Sequence, residues 1–273
     1  MAIKICVSGI TGWTGSAVAR AVLDSPDFEL VGGVSRSAAG QDAGHALGRE
    51  AVGVGISASV ADALEARPDV LVDYTHPGAV RGHVEAAVDA GVAVVVGTSG
   101  LTATDYGALD QRARDRGVGI VAAGNFSVTA ALAKHFAGIA ARHVPHWELI
   151  DYAHGTKPDA PSGTVRELAE FLGGVAENRV QVAPDEGLGP REARGATLGG
   201  AQVHSVRLPG FVVSFEALFG LPNERLSIRH DAGSGAEPYV GGTLLAARRA
   251  LEHVGLVRGL DTLLFGDADT PSA

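Results

Sequence analysis

The chain has 273 residues, of which 46% are hydrophobic, 19% are charged and 5% are aromatic. Its 22 basic and 31 acidic residues give a formal net charge of −9, which argues against a nucleic-acid-binding or anionic-membrane surface. A single cysteine excludes a disulfide framework and cysteine-rich metal sites, and the scattered histidines predict no metal centre. The longest apolar run is too short to cross a bilayer, and the first residues lack a signal-peptide pattern. We therefore expect a cytoplasmic α/β protein.

The first 125 residues alternate apolar runs of the buried-strand type with helical patterns. This alternation indicates βαβ units, and it predicts a Rossmann-like, doubly wound parallel sheet. Strands are predicted over Ile3–Ser8, Phe28–Val34, Val70–Tyr74, Val92–Val96 and Gly119–Ala123. Helices are predicted over Ser16–Leu23, Ala61–Ala66, Val80–Ala90 and Thr104–Arg116.

The pattern changes after Asn125, where longer strands follow one another and are joined by short turns. It predicts an α+β region with an open mixed or antiparallel sheet, and residues 174–200 read mostly as loop. The predicted helices are Val128–Arg142, Thr164–Leu172 and Gly242–His253, followed by a polar tail, Gly266–Ala273. The predicted strands are Trp147–Tyr152, Ala201–Leu208, Phe211–Phe219 and Glu224–Asp231. Apolar residues alternate along Phe211–Phe219, so that face must be covered by a helix of the chain or by a second sheet.

A glycine-rich turn joins the first predicted strand to the first predicted helix. Its G-x-x-G-x-x-G spacing lets the backbone turn tightly and approach a pyrophosphate, and the helix N-terminus then offers N–H groups to the phosphates. The position of the turn, opening an N-terminal βαβ unit, makes dinucleotide binding the favoured interpretation over a turn without ligand. The predicted cofactor contacts in this turn are Gly9, Thr11, Gly12, Trp13, Thr14 and Gly15.

The second predicted strand ends without the carboxylate that would bind the ribose of NAD. Ser35 and Arg36 stand there instead, and a hydroxyl beside a guanidinium suits the 2′-phosphate of NADPH. We therefore favour NADPH, with NADH as the alternative. The segments after the next three strands lie where open α/β sheets bind ligands, and each could also be ordinary turn chemistry. Their candidate cofactor contacts are Tyr74, Thr75, Gly97, Thr98, Ser99, Gly124, Asn125 and Phe126.

A second cluster of polar residues lies between Ala153 and Thr164. The run Ser162-Gly163-Thr164 opens a predicted helix and would offer N–H groups and a hydroxyl to a carboxylate. Lys157 adds a positive charge, and His154 can exchange a proton near neutral pH. This set suits an anionic small-molecule substrate that receives a hydride and a proton, although a polar surface loop would have a similar composition.

In this stretch the sequence resembles the dihydrodipicolinate reductase family of lysine and diaminopimelate synthesis. The Lys-x-Asp-Ala-Pro-Ser-Gly-Thr run of the family matches residues 157–164, and further matching segments follow in order along nearly the whole chain. The resemblance implies a dinucleotide-binding domain over residues 1–126 and 240–273. It also implies a domain over residues 127–239 that binds substrate and builds a homotetramer. The implied reaction is hydride transfer from NADPH or NADH to ring carbon C4 of a cyclic imine dicarboxylate, held by His154, Lys157, Gly163 and Thr164.

Several positions depart from the family pattern. The first His of the family motif, taken to be its acid/base group, is Ala153 here, and Ser214 stands where the family often has His. A substrate-facing Arg is replaced by Gly235, and an Arg of the first turn by Trp13. These losses leave open a divergent reductase with a less charged substrate, in which His154, Tyr152 or Asp151 supplies the proton.

Two other classes of dehydrogenase do not fit the residues of the chain. A thioester-forming dehydrogenase needs a nucleophilic cysteine, and the only one, Cys6, lies inside the first predicted strand. Short-chain dehydrogenases use Tyr-x-x-x-Lys, and Tyr152 and Lys157 are one residue too far apart. A non-catalytic NADP(H)-binding protein stays open, although Lys157 and the Pro-Ser-Gly-Thr helix start argue against a decayed site.

Overall fold

The computed structural model describes residues 1–266, which divide into two compact units. Unit 1 comprises Met1–Val128 and Ala236–Leu263, so the chain leaves it and returns. Unit 2 comprises Thr129–Gly235 and the residues from Leu264 to Gly266, where the described part ends. Among the described residues no helix is long and apolar enough to cross a membrane.

Unit 1 is built on a seven-stranded parallel sheet. Six strands come from its first segment: β1 (Ile3–Ser8), β2 (Phe28–Val34), β3 (Ile56–Ser57), β4 (Val70–Asp73), β5 (Ala93–Val96) and β6 (Gly119–Ala122). The seventh, β12 (Gly255–Arg258), comes from the returning segment and pairs with β6. The order is β3-β2-β1-β4-β5-β6-β12, so the strand order reverses between β1 and β4. Ligands of open α/β sheets bind at the carboxyl ends of the strands beside such a reversal.

The helices of unit 1 begin and end at capping residues that the sequence provides. They are α1 (Trp13–Asp24), α2 (Ala43–Ala46), α3 (Val60–Leu64), α4 (Pro77–Asp89), α5 (Ala103–Arg116) and α8 (Glu237–Ala250). Thr102 and Asp105 form a capping box at the start of α5, and Gly117 ends that helix with a φ of +68°. All residues of β4, β5 and β6 are buried, which explains their continuous apolar character.

Unit 2 contains a five-stranded sheet and two long helices. Its elements are α6 (Val128–His143), β7 (Trp147–Ala153), α7 (Gly163–Val175), β8 (Ala196–Leu198), β9 (Ala201–Arg207), β10 (Val213–Leu221) and β11 (Glu224–Ala232). The strand order is β11-β10-β7-β9-β8. Strands β7 and β9 are parallel and the other pairs are antiparallel, so the sheet is mixed.

One face of this sheet forms the core of unit 2. Phe215, Ala217 and Phe219 of β10 pack in one buried cluster with residues of α6 and α7. The apolar face predicted for Phe211–Phe219 is therefore covered by helices of the same chain. We call the opposite side, which carries Tyr152 and Glu216, the outer face.

The sequence located most elements but misplaced several ends. Helix α1 begins at Trp13, three residues before the predicted start, and α8 begins at Glu237 instead of Gly242. Short elements were missed, among them β3, β8, β12 and a last helix, α9 (Leu260–Phe265). The predicted polar tail lies outside the described residues apart from Gly266.

Candidate active site

The glycine turn of unit 1 packs against the carboxyl end of β4 so closely that side chains are excluded. Gly9 has a φ of +79°, and a Cβ there would lie 2.1 Å from the carbonyl oxygen of Tyr74. A Cβ on Gly15 would lie 2.1 Å from the carbonyl oxygen of Gly9. Gly12 is less confined, with its nearest contact at 3.1 Å. The first and third glycines are thus required by packing, whereas a Cβ at the second would be tight against the Gly9 carbonyl oxygen without overlapping it.

The N-terminus of α1 is free to bind an anion. Its N-cap is Gly12, which supplies no side-chain hydrogen bond, and the first turn contains no acidic residue. Within the described residues, the backbone N–H groups of Trp13, Thr14 and Gly15 have no partner. Unpaired N–H groups and the helix dipole together favour a phosphate at this position.

The end of β2 presents hydroxyl groups and a guanidinium. The side-chain oxygens of Thr11 and Ser35 are 2.8 Å apart, and those of Ser35 and Ser37 are 3.3 Å apart. Ser35 is buried, whereas Arg36 beside it is exposed to solvent. The contact between Thr11 and Ser35 therefore places the glycine turn next to the positively charged end of β2 at Arg36.

A buried carboxylate connects the ends of β4 and β5. Asp73 is fully buried, and its Oδ1 accepts hydrogen bonds from the hydroxyls of Thr98 and Thr75, at 2.5 and 2.8 Å. The Thr98 hydroxyl also receives the backbone N–H of Thr75, at 2.7 Å. The second carboxylate oxygen of Asp73 lies 2.7 Å from Nδ1 of His83 on α4. Thr75 and Thr98, two of the residues predicted to contact the cofactor, are therefore held in place by one side chain.

Two aromatic candidates, Tyr74 and Phe126, belong to the packing of unit 1. The hydroxyls of Tyr74 and Thr243 are 2.7 Å apart, and burial raises the pKa of Tyr74. The Tyr74 ring leaves no space for a side chain at Gly97, whose Cβ would lie 2.1 Å from it. Phe126 is 1% exposed and meets the Tyr74 ring edge to face. These residues can offer a ligand only their backbone or a ring edge.

The remaining predicted cofactor contacts lie in the loops after β5 and β6. Ser99 and Gly124 are exposed. Asn125 accepts the backbone N–H of Ser127 at 2.8 Å, which shapes the turn before α6. We call the glycine turn, the end of β2 and these strand ends the cofactor subsite.

A loop of unit 2 runs from the end of β7 to the start of α7, and a buried ion pair holds its base. Asp151 is fully buried, and the Arg207 Nη2 atom donates to its Oδ2 at 2.6 Å. The same Nη2 donates to the carbonyl oxygen of Asp159 at 2.7 Å. Asp151 also accepts the backbone N–H and the hydroxyl of Ser162, at 2.8 and 2.7 Å. The pair therefore fixes both the middle and the end of the loop.

The helix start at Ser162 differs from its predicted use. Its hydroxyl donates to Asp151 and receives the backbone N–H of Val165 as the N-cap of α7, so it is not free for a substrate carboxylate. Within the described residues, the backbone N–H groups of Gly163 and Thr164 have no partner. Gly163 and Thr164 thus offer the N–H groups that can hold an anion, and Ser162 orients this helix start.

Lys157 and His154 lie on the exposed part of the loop. The Lys157 Nζ atom is 2.6 Å from Oδ1 of Asp159, and this hydrogen bond lowers the pKa of the Asp159 carboxyl. His154 receives the backbone N–H of Thr156 at its Nδ1, 3.3 Å away, and the Thr156 hydroxyl lies 2.9 Å from the same atom. An accepting Nδ1 leaves Nε2 of His154 available to carry the proton. We call this loop, with Gly163 and Thr164, the substrate subsite.

The positions that depart from the family pattern do not supply a replacement acid. Ala153 is fully buried, and Asp151 on the same face is already bonded to Ser162 and Arg207. Tyr152 points to the outer face, where its hydroxyl donates to Glu216 at 3.1 Å and burial raises its pKa. Ser214 pairs with Asp231 in the sheet register, also on the outer face, and Gly235 is the last residue of the first segment of unit 2. Of the three suggested proton donors, Asp151 is buried and the Tyr152 hydroxyl is bonded to Glu216, whereas His154 is exposed and its Nε2 has no hydrogen-bond partner within the described residues.

Sequence reasoning missed the residues that support the two subsites. Asp73 and His83 hold the threonines, Thr243 holds Tyr74, and Arg207 holds the substrate loop. Two of these contacts join distant segments: Arg207 is 56 residues from Asp151, and Thr243 is 169 residues from Tyr74. For Asp73 and Arg207 the local signal in the sequence is a charged residue at the end of a strand pattern, β4 and β9.

Comparison with known proteins identifies the family of both parts of the chain. The family model for the N-terminus of dihydrodipicolinate reductase matches residues 3–126, and the model for its C-terminus matches residues 126–264. The chain is 40% identical over 263 residues to 4-hydroxy-tetrahydrodipicolinate reductase of Moorella thermoacetica. It is 39% identical over 264 residues to that of Desulfitobacterium hafniense. Each alignment covers 96% of this chain and 98% of the relative.

A solved structure shares the fold over nearly the whole length. It is a dipicolinate-bound dihydrodipicolinate reductase from a Paenisporosarcina species, with a TM-score of 0.82 and 29% identity. The match covers 96% of this chain and 100% of that chain. The chain therefore belongs to the dihydrodipicolinate reductase family, and it is a reductase of that family.

Proposed function

We propose that this chain is a cytoplasmic, NADPH-dependent 4-hydroxy-tetrahydrodipicolinate reductase. In the net reaction the substrate, NADPH and a proton give tetrahydrodipicolinate, NADP⁺ and water. The observation that carries the proposal is the substrate subsite. There a lysine and two helix N–H groups, unpaired within the described residues, lie on a loop held by the Asp151–Arg207 pair. The sequence matches over both units support the same reaction.

The substrate subsite has the groups that a dicarboxylate needs. The N–H groups of Gly163 and Thr164 suit one carboxylate, because a helix N-terminus favours negative charge. Lys157 supplies a cation on the same loop. The ion pair with Asp159 keeps the Lys157 ammonium oriented until a substrate carboxylate takes the place of the Asp159 carboxylate. Residues of unit 2 thus bind and orient the ring, whose C4 must face the hydride donor.

The cofactor subsite fits a dinucleotide on structural grounds. The turn excludes side chains at Gly9 and Gly15. The backbone N–H groups of the first three residues of α1 are unpaired within the described part of the chain. When bound, the reduced nicotinamide supplies the hydride. The preference for NADPH is supported by Arg36 and the hydroxyl of Ser35 at the end of β2, where no carboxylate repels a 2′-phosphate.

We assign proton delivery to His154, with solvent. Its ring is exposed and its Nδ1 accepts from the Thr156 backbone, so Nε2 is the atom that can hand over a proton. Ala153, at the position of the family's acid/base His, has only a buried methyl group. His154→Gln is expected to lower kcat by about 10²–10⁴-fold, the usual contribution of one acid/base group.

The direct test follows NADPH oxidation with the authentic lysine-pathway intermediate and, separately, NADPH binding without substrate. Fast turnover whose kcat/KM Lys157→Met lowers about 10- to 150-fold, with unchanged NADPH binding, would support the proposal. Tight NADPH binding without turnover of any imine would instead identify a non-catalytic binding protein. Replacing NADPH with NADH and comparing Arg36→Ala tests the coenzyme assignment, because only NADPH binding should weaken.

A divergent substrate is the second candidate, and the buried Ala153 together with Gly235 favours it. Both replacements remove polar groups that the family resemblance places beside the substrate. A panel of cyclic imines with one or no carboxylate discriminates the two. Higher kcat/KM for a less charged imine than for the dicarboxylate would establish the divergent activity.

We also propose that the protein works as a homotetramer built through the outer face of unit 2. A cavity of about 750 Å³ lies at one end of this sheet and is lined by Trp147, Gln202 and Arg225, among others. Gln202, which pairs with Glu148 on this face, is buried, and its Oε1 has no partner within the described residues. Leu218 of β10 also lies on the outer face, next to Glu216 in the same alternation, and is partly exposed. Light scattering should give four copies, and Leu218→Asp should lower that number; a monomeric wild type would contradict the proposal.

A further inference from the structure

Three arginines that are far apart in the sequence line one cavity of unit 2. The cavity has a volume of about 750 Å³ and lies at one end of the mixed sheet. Arg179 comes from the segment after α7, Arg194 from a short 3₁₀-helix over residues 191–194, and Arg225 from β11. Among the described residues, Glu148 is the only acidic residue of the lining. The cavity is therefore positively charged, although the formal net charge of the chain is −9.

One of these arginines is paired, and the other two are not. The Nη2 atom of Arg194 donates to Oε1 of Glu148 at 2.5 Å, and Nε2 of His204 lies 2.8 Å from the second carboxylate oxygen. Within the described residues, the guanidinium groups of Arg179 and Arg225 form no hydrogen bond or ion pair. Since the charge of Glu148 is already balanced by Arg194, two cations of the cavity have no counterion there.

The wall of the cavity also contains a buried donor that lacks an acceptor. Trp147 lines the cavity and is 3% exposed, and its Nε1 atom has no partner within the described residues. An indole N–H can only donate, and a buried donor without a partner is unfavourable. The backbone of Trp147 is fixed, because the side chain of Asn178 bonds both its N–H and its carbonyl oxygen, at 3.0 and 2.9 Å. The missing partner is therefore an acceptor, which an anionic oxygen or a water bound to it would supply.

Much of the remaining lining is apolar. Val180, Val182 and Leu221 line the cavity and are 39%, 50% and 38% exposed. Sites for organic ligands commonly have volumes of about 300–1,000 Å³ and combine apolar walls with a few polar groups. An inorganic anion could pair with the arginines but would leave these apolar side chains in contact with water. The lining thus suits a ligand that has both a charged group and an apolar body.

We infer that this cavity is a binding site for an organic anion. The carboxylate or phosphate group of the ligand pairs with Arg179 and Arg225, and its apolar body contacts Val182 and Leu221. The site shares no residue with the substrate subsite or the cofactor subsite. It adds a second small-molecule site to the protein, and the proposed reductase reaction does not require it.

The test is isothermal titration calorimetry with phenyl phosphate and benzoate as probes. At least one of them should bind more tightly than inorganic phosphate, which lacks the apolar body, and than benzyl alcohol, which lacks the charge. The tighter of the two identifies the preferred charged group. Arg179→Gln and Arg225→Gln should each raise the Kd of that probe about fivefold, the upper range for an exposed ion pair, and the double variant about 25-fold. Arg225→Lys keeps the charge and should bind nearly as well as the wild type.

Three further measurements locate the bound probe. In Trp13→Phe, Trp147 is the only tryptophan of the chain, and the probe should shift its emission with the calorimetric Kd. Lys157→Met and Arg36→Ala change the substrate and cofactor subsites and should leave probe binding unchanged. Light scattering should give the same number of copies for the double variant and the wild type.

Several outcomes would overturn the inference. They are the absence of saturable binding, equal Kd values for the double variant and the wild type, and unchanged Trp147 emission during binding. Loss of binding in Lys157→Met or Arg36→Ala would place the probe in one of the other subsites. A changed number of copies in the double variant would make the cavity a contact between copies of the chain instead of a ligand site.

Discussion

Arg207 and Asp151 form a buried pair, and one guanidinium nitrogen, Nη2, bonds both the Asp151 carboxylate and the backbone carbonyl of Asp159. The carboxylate in turn binds Ser162 at the helix start. The loop that carries Lys157 is therefore fastened by two side chains on neighbouring parallel strands, β7 and β9. A rigid base keeps the exposed cation of the loop at a defined place, which substrate orientation requires.

Breaking this pair should affect stability and substrate binding together. Asp151→Asn retains the shape but leaves the Arg207 guanidinium partly buried without its counterion. The free energy of unfolding of unit 2 should fall by about 3–5 kcal/mol, as for one-sided loss of a buried pair. Chemical denaturation followed by Trp147 fluorescence measures it. Asp24→Asn, which breaks the exposed pair with Arg49, is the control and should leave the transition nearly unchanged.

Removing the charge of Lys157 should weaken binding of the transition state without unfolding the protein. Lys157 is about one-third exposed, so Lys157→Met should keep its melting temperature. A charge-assisted hydrogen bond contributes about 1.5–3 kcal/mol, so kcat/KM for a dicarboxylate should fall about 10- to 150-fold. For an imine without carboxylates the change should be small. An equal loss on both substrates would argue against carboxylate recognition by Lys157.

Substitution of Gly12 should impair dinucleotide binding, whereas substitution of Gly9 should impair folding. Gly12→Ala places a methyl group where the pyrophosphate approaches, so the variant should fold but raise the Kd of both dinucleotides by about tenfold or more. Gly9→Ala should disrupt folding of unit 1, because its Cβ would overlap the Tyr74 carbonyl oxygen at a positive φ. Gly82→Ala on α4 has free space and is the control, expected to bind normally and gain about 1 kcal/mol. Equal binding by Gly12→Ala and the wild type would place the phosphates elsewhere.

Acid should destabilise unit 2 through His230. This histidine is 7% exposed, its Nε2 lies 3.1 Å from the Thr129 hydroxyl, and burial lowers its pKa. The unfolded chain then binds a proton at a higher pH than the folded one. The contribution of His230 is complete above its ordinary pKa of about 6.5 and is lost as pH falls through the lowered folded value. Denaturation midpoints measured across this range should decline in the wild type and less steeply in His230→Gln. Parallel profiles would assign the decline to other groups.

The sequence predicted best where a local pattern is sufficient. Strands β1 and β2 have the predicted bounds, because a continuous apolar run between turns describes a buried parallel strand well. The glycine spacing located the tight turn between β1 and α1, because packing of Gly9 against the Tyr74 carbonyl leaves no alternative to glycine. Helix α1 began earlier than predicted, since its first residues, Trp13 to Gly15, have no apolar periodicity and are set by the turn.

The supporting contacts of the site could not be predicted in this way. Ser162 has the sequence of a ligand-binding hydroxyl, and only the fold brings Asp151 to it and makes it a cap. Asp151 and Tyr152 were equal as proton donors in the sequence, but strand alternation sends one into the core and the other to the outer face. Partners from distant segments decide these roles.

The discontinuity of unit 1 has a consequence for biosynthesis. Helix α8 and strand β12 leave the ribosome only after Thr129–Gly235 of unit 2, although β12 must pair with β6 at the edge of the first sheet. Until then the edge of β6 is unpaired and open to other chains. If unit 2 folds first, it shortens the effective loop between Val128 and Ala236 and lowers the entropic penalty of closing it. Mutations that slow the folding of unit 2 should therefore reduce the yield of an intact dinucleotide-binding unit, even though none of them lies within it.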